Sequence, residues 1–423
     1  VRAALLLWLS ASLTVLAGES RDMALVGRHD LSGRPAYQPV IQRQGQRWIA
    51  YVGHHGGRAA NPVSGKVEPN GTSILDVTDP RAPRLLAHIP GEAGGGAQMV
   101  RACELGGGGK VYLLRTYGHS AHEVWDASDP ARPARVSVVA HGLADTHKSW
   151  WECDTGIAYL VSGVPGWRTS RMTQVFDLSE PARPRFIRDF GLVGQQPGAR
   201  GAVPTGLHGP ISLGPRANRI YFGYGTNAGG VMQIVDRRKL LEGAPEPTEA
   251  NLLAPQVGRF DLPPAYGAHT AFPVTGLGGR DYVVVVNEAL TRHCREEHQK
   301  VWIVDVTHEA RPVVASTWMP QGSEAFCARG RFGAHASNES FARAYYRKLV
   351  FVSWFNAGVR VLDIRDPARP VEVAYFVPAG EPLTNNVEVD ERGFIYIVDR
   401  GGLGLHVLEL EGAARAIAGL QPN

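Results

Sequence analysis

The chain has 423 residues, a formal net charge of +4, 20% charged residues, 50 glycines and 29 prolines. Helix breakers at that density exclude a coiled coil and argue against a helical bundle; the 9 Trp, 13 Tyr and 13 Phe, with many Val and Leu runs, exclude disorder. Positive charge is mostly Arg interspersed with acids, so there is no basic stripe to track a phosphate backbone, and no nucleic-acid partner is expected.

The chain opens on VRAALLLWLSASLTVLAG (1–18), one Arg followed by an apolar run and a small-residue end at Val15-Leu16-Ala17. This pattern predicts a secretory signal peptide over 1–18 and a periplasmic or secreted protein over 19–423. The run is short for a bilayer and Ser interrupts it, and nothing later reaches 18 consecutive apolar residues, so no membrane span is expected after cleavage.

A phrase then recurs as ILDVTDPRAP (74–83), VWDASDPARP (124–133), VFDLSEPARP (175–184), IVDVTHEARP (303–312) and VLDIRDPARP (361–370). IVDRRKL from Ile234 is a weaker copy, and LHVLEL (405–410) ends the series. Each full copy is a short β run, an acid that can bond backbone N–H groups, and Pro to fix a turn. The anchoring acids Asp76, Asp126, Asp177, Asp236, Asp305, Asp363 and Glu409 are 46 to 69 residues apart. Seven units of four short strands at such a period predict an all-β, seven-bladed propeller. A parallel β-helix is the competing architecture and prefers shorter repeats. The last unit lacks an outer strand, and ALVGRHDL (24–31), ahead of the first unit, matches that strand type. Its insertion would close the ring and leave no open edge between first and last blade.

IVDVTHEARP and VLDIRDPARP resemble the LVIVD-repeat family of bacterial exported propellers, over nearly all of residues 24–410. The resemblance implies architecture and export, and no common activity. A more distant similarity is to the selenium-binding and methanethiol oxidase propellers, which hold copper through His; their Cys-rich motifs are not present here.

Propeller geometry gathers the long loops 54–71, 116–121, 164–171, 288–300 and 323–334 on one face, where binding is usually built. On that face His147, His208, His269 and His335 each begin the innermost strand of successive units, in ADTHKSW, PTGLHGP, AYGAHTA and FGAHASN. Four imidazoles at equivalent positions should converge near the channel mouth, where neutral nitrogens suit Cu, Fe or Zn. The set resembles, in residue type and placement alone, the four-His iron site of carotenoid oxygenase propellers. A ring of structural, water-binding His is the other reading. The remaining units offer Pro39, the Gln98 region and Asn385 or Asn386 at this point.

Among polar groups ending second strands, Glu288 is a proton-transfer candidate, and Arg115 and Arg400 are candidates to steer an anionic group. Four cysteines in an oxidising compartment favour two disulfides, Cys103–Cys153 and Cys294–Cys327, each joining neighbouring units. Phosphate-loop, dinucleotide, HExxH and GxSxG motifs are absent. Two functions follow as expectations: a metal-dependent oxidation or hydrolysis of a small molecule at the long-loop mouth, or a non-catalytic propeller binding a protein or glycan there.

Overall fold

Each repeat folds into a four-stranded antiparallel sheet whose strands run in sequence order from the centre outwards. The computed structural model describes residues 18–421, so the expected signal peptide, but for Gly18, lies outside the described residues. The innermost strands of blades one to seven are Ala36–Gln44, Val100–Glu104, Trp150–Trp151, Leu207–Ser212, Thr270–Leu277, Ala336–Ser337 and Thr384–Val389. In blades one to six the third strand ends on the repeated acid, and the turn chemistry follows from the sequence. Asp76, Asp126, Asp177, Asp305 and Asp363 each accept a hydrogen bond through Oδ1 from the backbone N–H two residues on, at 2.9–3.0 Å. The weak copy lacks the Pro, and there Asp236 caps the helix Arg237–Glu242 by accepting from Lys239 N at 2.9 Å.

The ring closes as expected. Met23–His29 pairs antiparallel with Leu405–Leu410 and forms the outer strand of blade seven. One shared irregularity marks it as a true blade strand. In all seven blades the outer strand carries an extra residue opposite the two positions before the repeated acid, as at Ile74/Leu75, Val175/Phe176 and Val361/Leu362. In blade seven that bulge falls between Leu25 and Gly27 of the N-terminal strand. A bulge raises local twist, which each blade needs as it fans outward. Glu19–Arg21 adds a fifth strand to blade six beside Val371–Val377, a pairing without a counterpart in the repeat.

Seven buried apolar clusters fill the seven blade–blade interfaces among the described residues. Leu31, Ala36, Val52 and Leu75 of blade one pack on Tyr396, Val398, Leu405 and Val407 of blade seven, so the core is continuous across the closure. Cys103–Cys153 ties blade two to blade three and Cys294–Cys327 ties two long loops together, with Cα separations of 5.1 and 5.4 Å. No helix among the described residues is long and apolar enough to cross a membrane.

Candidate metal centre

The four repeat histidines meet at one end of the central channel. Each enters the start of its blade's inner strand, and His147, His269 and His335 are held there by backbone N–H donation to Val161, Val286 and Ser353 across the blade. His208 sits at a register shift between Leu207 and Gly209. Gly209 beside it is required because a Cβ would come within 2.7 Å of the Lys148 side chain. All four imidazoles are buried. Neighbouring ring centroids are 4.5 Å apart for His147–His208, 3.6 Å for His208–His269 and 4.4 Å for His269–His335.

Hydrogen bonding fixes where the lone pair of His335 points. His335 Nδ1 faces the Asn385 carbonyl, which can only accept, so Nδ1 carries the proton and Nε2 is bare. His269 Nδ1 lies 2.9 Å from Thr270 Oγ1, and that hydroxyl oxygen accepts from Lys148 Nζ at 3.0 Å. The Nε2 atoms of His269 and His335 and Nδ1 of His208 are buried without a partner. His147 Nε2 is 2.9 Å from His208 Nε2. Burial, reinforced by neighbouring cationic and imidazole groups, holds all four well below the usual His range, so they are neutral at pH 7.

Glu288, in the loop after the second strand of blade five, faces this cluster. Its carboxylate oxygens lie 4.0 Å from His269 Nε2 and 3.7 Å from His335 Nε2. Arg331 Nη2 donates to it at 2.9 Å. Burial raises the Glu288 carboxyl, while Arg331, Arg400 and Arg171 oppose the rise. His208, His269 and Glu288 place one donor atom each within 4.8 Å of one another.

Arg400 stands close enough for its charge to act on Glu288, His335 and Tyr37. Arg115 lies elsewhere in function: its buried guanidinium donates to Glu123 at 3.0 Å and to the Ile89 and Pro90 carbonyls at 3.1 and 2.8 Å, and it stacks on Trp125. Those bonds make it a structural element of blade two, and it has no part in the site proposed below.

Three residues of the mouth escape a reading of the repeat. Tyr37, not Pro39, is the blade-one contribution: its Oη is 3.2 Å from His147 Nε2 and its ring edges against His147 and His335. A register shift between Ala36 and Pro39 turns it inward, and alternation alone does not reveal a bulge. Arg171 and Arg331 come from long loops with no repeat pattern to align them. Below the histidines, Glu339 is buried between Lys148 and Arg101, which both pair with it. A second group, Cys294, His298 and Cys327, also brings three donor atoms within 4.8 Å, but both sulfurs are joined in the disulfide, which removes the thiolates that would bind an ion.

No family model matches the chain, and no curated protein does. Among solved structures it is similar to Raptor from Chaetomium thermophilum, with a TM-score of 0.58 and 10% identity over 94% of this chain. The chain spans 29% of that much longer protein. A likeness at this identity shows the propeller fold alone.

Proposed function

We propose that this chain is an exported LVIVD-type propeller that holds one first-row transition-metal ion at the channel mouth and oxidises or hydrolyses a small anionic molecule there. His208 and His269 are the central ligands, His147 and His335 flank them, and Cu, Fe and Zn are the candidate ions for such a donor set. The observation that carries the reading is that His208, His269 and Glu288 bring one donor atom each within 4.8 Å, beside the unpartnered Nε2 atoms of His269 and His335. An unpartnered buried polar atom costs about 1–3 kcal/mol, so several in one cavity point to a missing common partner. Arg171, paired with Asp145, Arg331, paired with Glu288, and Arg400 leave the mouth net positive and suited to an anion. The ion would supply Lewis-acid or redox chemistry; Glu288 holds or receives a proton at the oxygen facing His269, and Arg331 positions that carboxylate.

Metal content tests the reading. Protein purified from a periplasm without a His tag should carry, or take up on reconstitution, close to one equivalent of Cu, Fe or Zn per chain. The His208→Ala/His269→Ala double variant should lose it while remaining folded. Less than about a tenth of an equivalent after reconstitution would overturn the proposal.

A further inference from the structure

The two disulfides differ in what surrounds them. Cys294 lies in the loop after the second strand of blade five, and Cys327 on the helix Ser323–Arg329, which buries none of its residues; both cysteines are half-buried. One nitrogen of His298 comes within 4.8 Å of both sulfurs. Among the described residues no His, Asp or Glu stands in that relation to Cys103 and Cys153. His298 is free to act as a third donor. Its ring stands edge-on to Phe332 with centroids 6.0 Å apart, and no hydrogen bond occupies Nδ1.

The backbone favours opening of the sulfur bond. His293 and Cys294 hold φ of +58° and +50°, two successive non-glycine residues in the left-handed region, where Cβ crowds the following carbonyl. A disulfide whose chain is kept in a disfavoured conformation is easier to reduce than an unstrained one, and one near the surface can be reached by an attacking thiolate. Opening leaves the donors together. His293 N–H donates to the Gly330 carbonyl at 2.7 Å, and His293 Nδ1 lies 3.1 Å from the Cys327 carbonyl oxygen, so the two segments remain joined at this one point.

We propose that Cys294–Cys327 is a reducible disulfide whose dithiol form, together with His298, binds one Cu⁺ ion. An external dithiol gives two electrons and two protons to the S–S bond and itself becomes a disulfide; Cys294 and Cys327 release those protons as the ion binds both sulfurs. Thiolates select soft ions, and two sulfurs with one imidazole nitrogen suit three-coordinate Cu⁺, whereas Zn²⁺ needs a fourth ligand from outside. Disulfide and ion exclude each other, so oxidation closes the site. The site is separate from the histidine centre and does not rest on the function proposed for it.

Reduction and uptake are tested in turn on the folded, full chain. Protein treated with dithiothreitol and then iodoacetamide should carry the label on Cys294 and Cys327, by peptide mass mapping, while Cys103 and Cys153 stay joined. Unlabelled oxidised and reduced protein, the latter freed of dithiothreitol, are then titrated anaerobically with Cu⁺ against bicinchoninate. The reduced form should retain one Cu⁺ per chain beyond whatever the oxidised form holds, a difference that cancels uptake by the four repeat histidines. His298→Ala should weaken the extra ion by about tenfold or more. Cys294 and Cys327 that stay unlabelled until the chain unfolds overturn the proposal, as does labelling of Cys103 and Cys153 ahead of them. Equal uptake by both forms, or an extra ion indifferent to His298→Ala, overturns it as well. An extra ion in a protein whose oxidised form takes up no metal supports this inference and sinks only the histidine centre.

Discussion

Acid should unfold the metal-free protein at an unusually mild pH. Eight histidines are buried and His55 is half-buried, all nine with depressed pKa values: His55 is pulled to about 3, His88, His122 and His406 to about 4, and His54, His147, His208, His269 and His335 well below the usual range, with burial the largest cause throughout. A group whose folded pKa lies below its unfolded value stabilises the fold fully above the unfolded value, near 6.5 for His. That stability drains away as pH falls towards the folded value. At pH 5 each His that stays neutral costs about 2 kcal/mol relative to pH 7, so nine cost about 18 kcal/mol. A domain's whole stability is about 5–15 kcal/mol. Glu288, Glu388 and Asp399, raised by burial, take up protons in the folded form and offset a minority of this. Unfolding is therefore expected between about pH 5 and 6 in EDTA, with at least five protons bound per molecule at the midpoint. Urea titrations followed by Trp fluorescence at half-unit pH steps give the proton number from the slope of stability against pH. Uptake of fewer than about two protons, or a native protein at pH 4.5, would refute the buried-neutral assignment.

Glu339→Gln should destabilise by about 3–5 kcal/mol in urea, because Lys148 and Arg101 then remain buried without a carboxylate. Replacing Cys103 and Cys153 by Ser opens a loop of sequence separation 50 and should lower stability by about 4 kcal/mol by chain entropy, read from the shift of the urea midpoint. Replacing Cys294 and Cys327 frees the loops that deliver Glu288 and Arg331, so metal affinity should fall by more than the Cys103/Cys153 change produces. Deletion up to Asp22 should leave a monodisperse, β-rich protein, whereas deletion up to His29 removes the closing strand of blade seven and should give aggregates on size exclusion.

The ring itself was legible because the DPxRP turn is chemistry repeated at a fixed place, and because the strand type of residues 24–31 had only one vacancy to fill. The four histidines were legible for the same reason, each standing at the same point of its unit. What escaped was set by backbone irregularity or by loops. Tyr37 reaches the channel through a bulge that shifts it from the position Pro39 holds by simple alignment. Arg331 and Arg171 lie in insertions with no periodicity. Arg115 stands at the end of a strand, but its side chain is taken up by its cross-strand partner Glu123 and by the Ile89 and Pro90 carbonyls of blade one, contacts that strand position alone does not reveal. Likewise the Glu19–Arg21 strand has too few residues to carry a pattern.

The central claim is the position of one ion. Crystals of protein reconstituted with the metal it retains best should show, in an anomalous difference map, a single strong peak within about 2.0–2.2 Å of the His208 and His269 nitrogens. A map without such a peak, or with its only peak at His298 beside Cys294 and Cys327, would contradict the account.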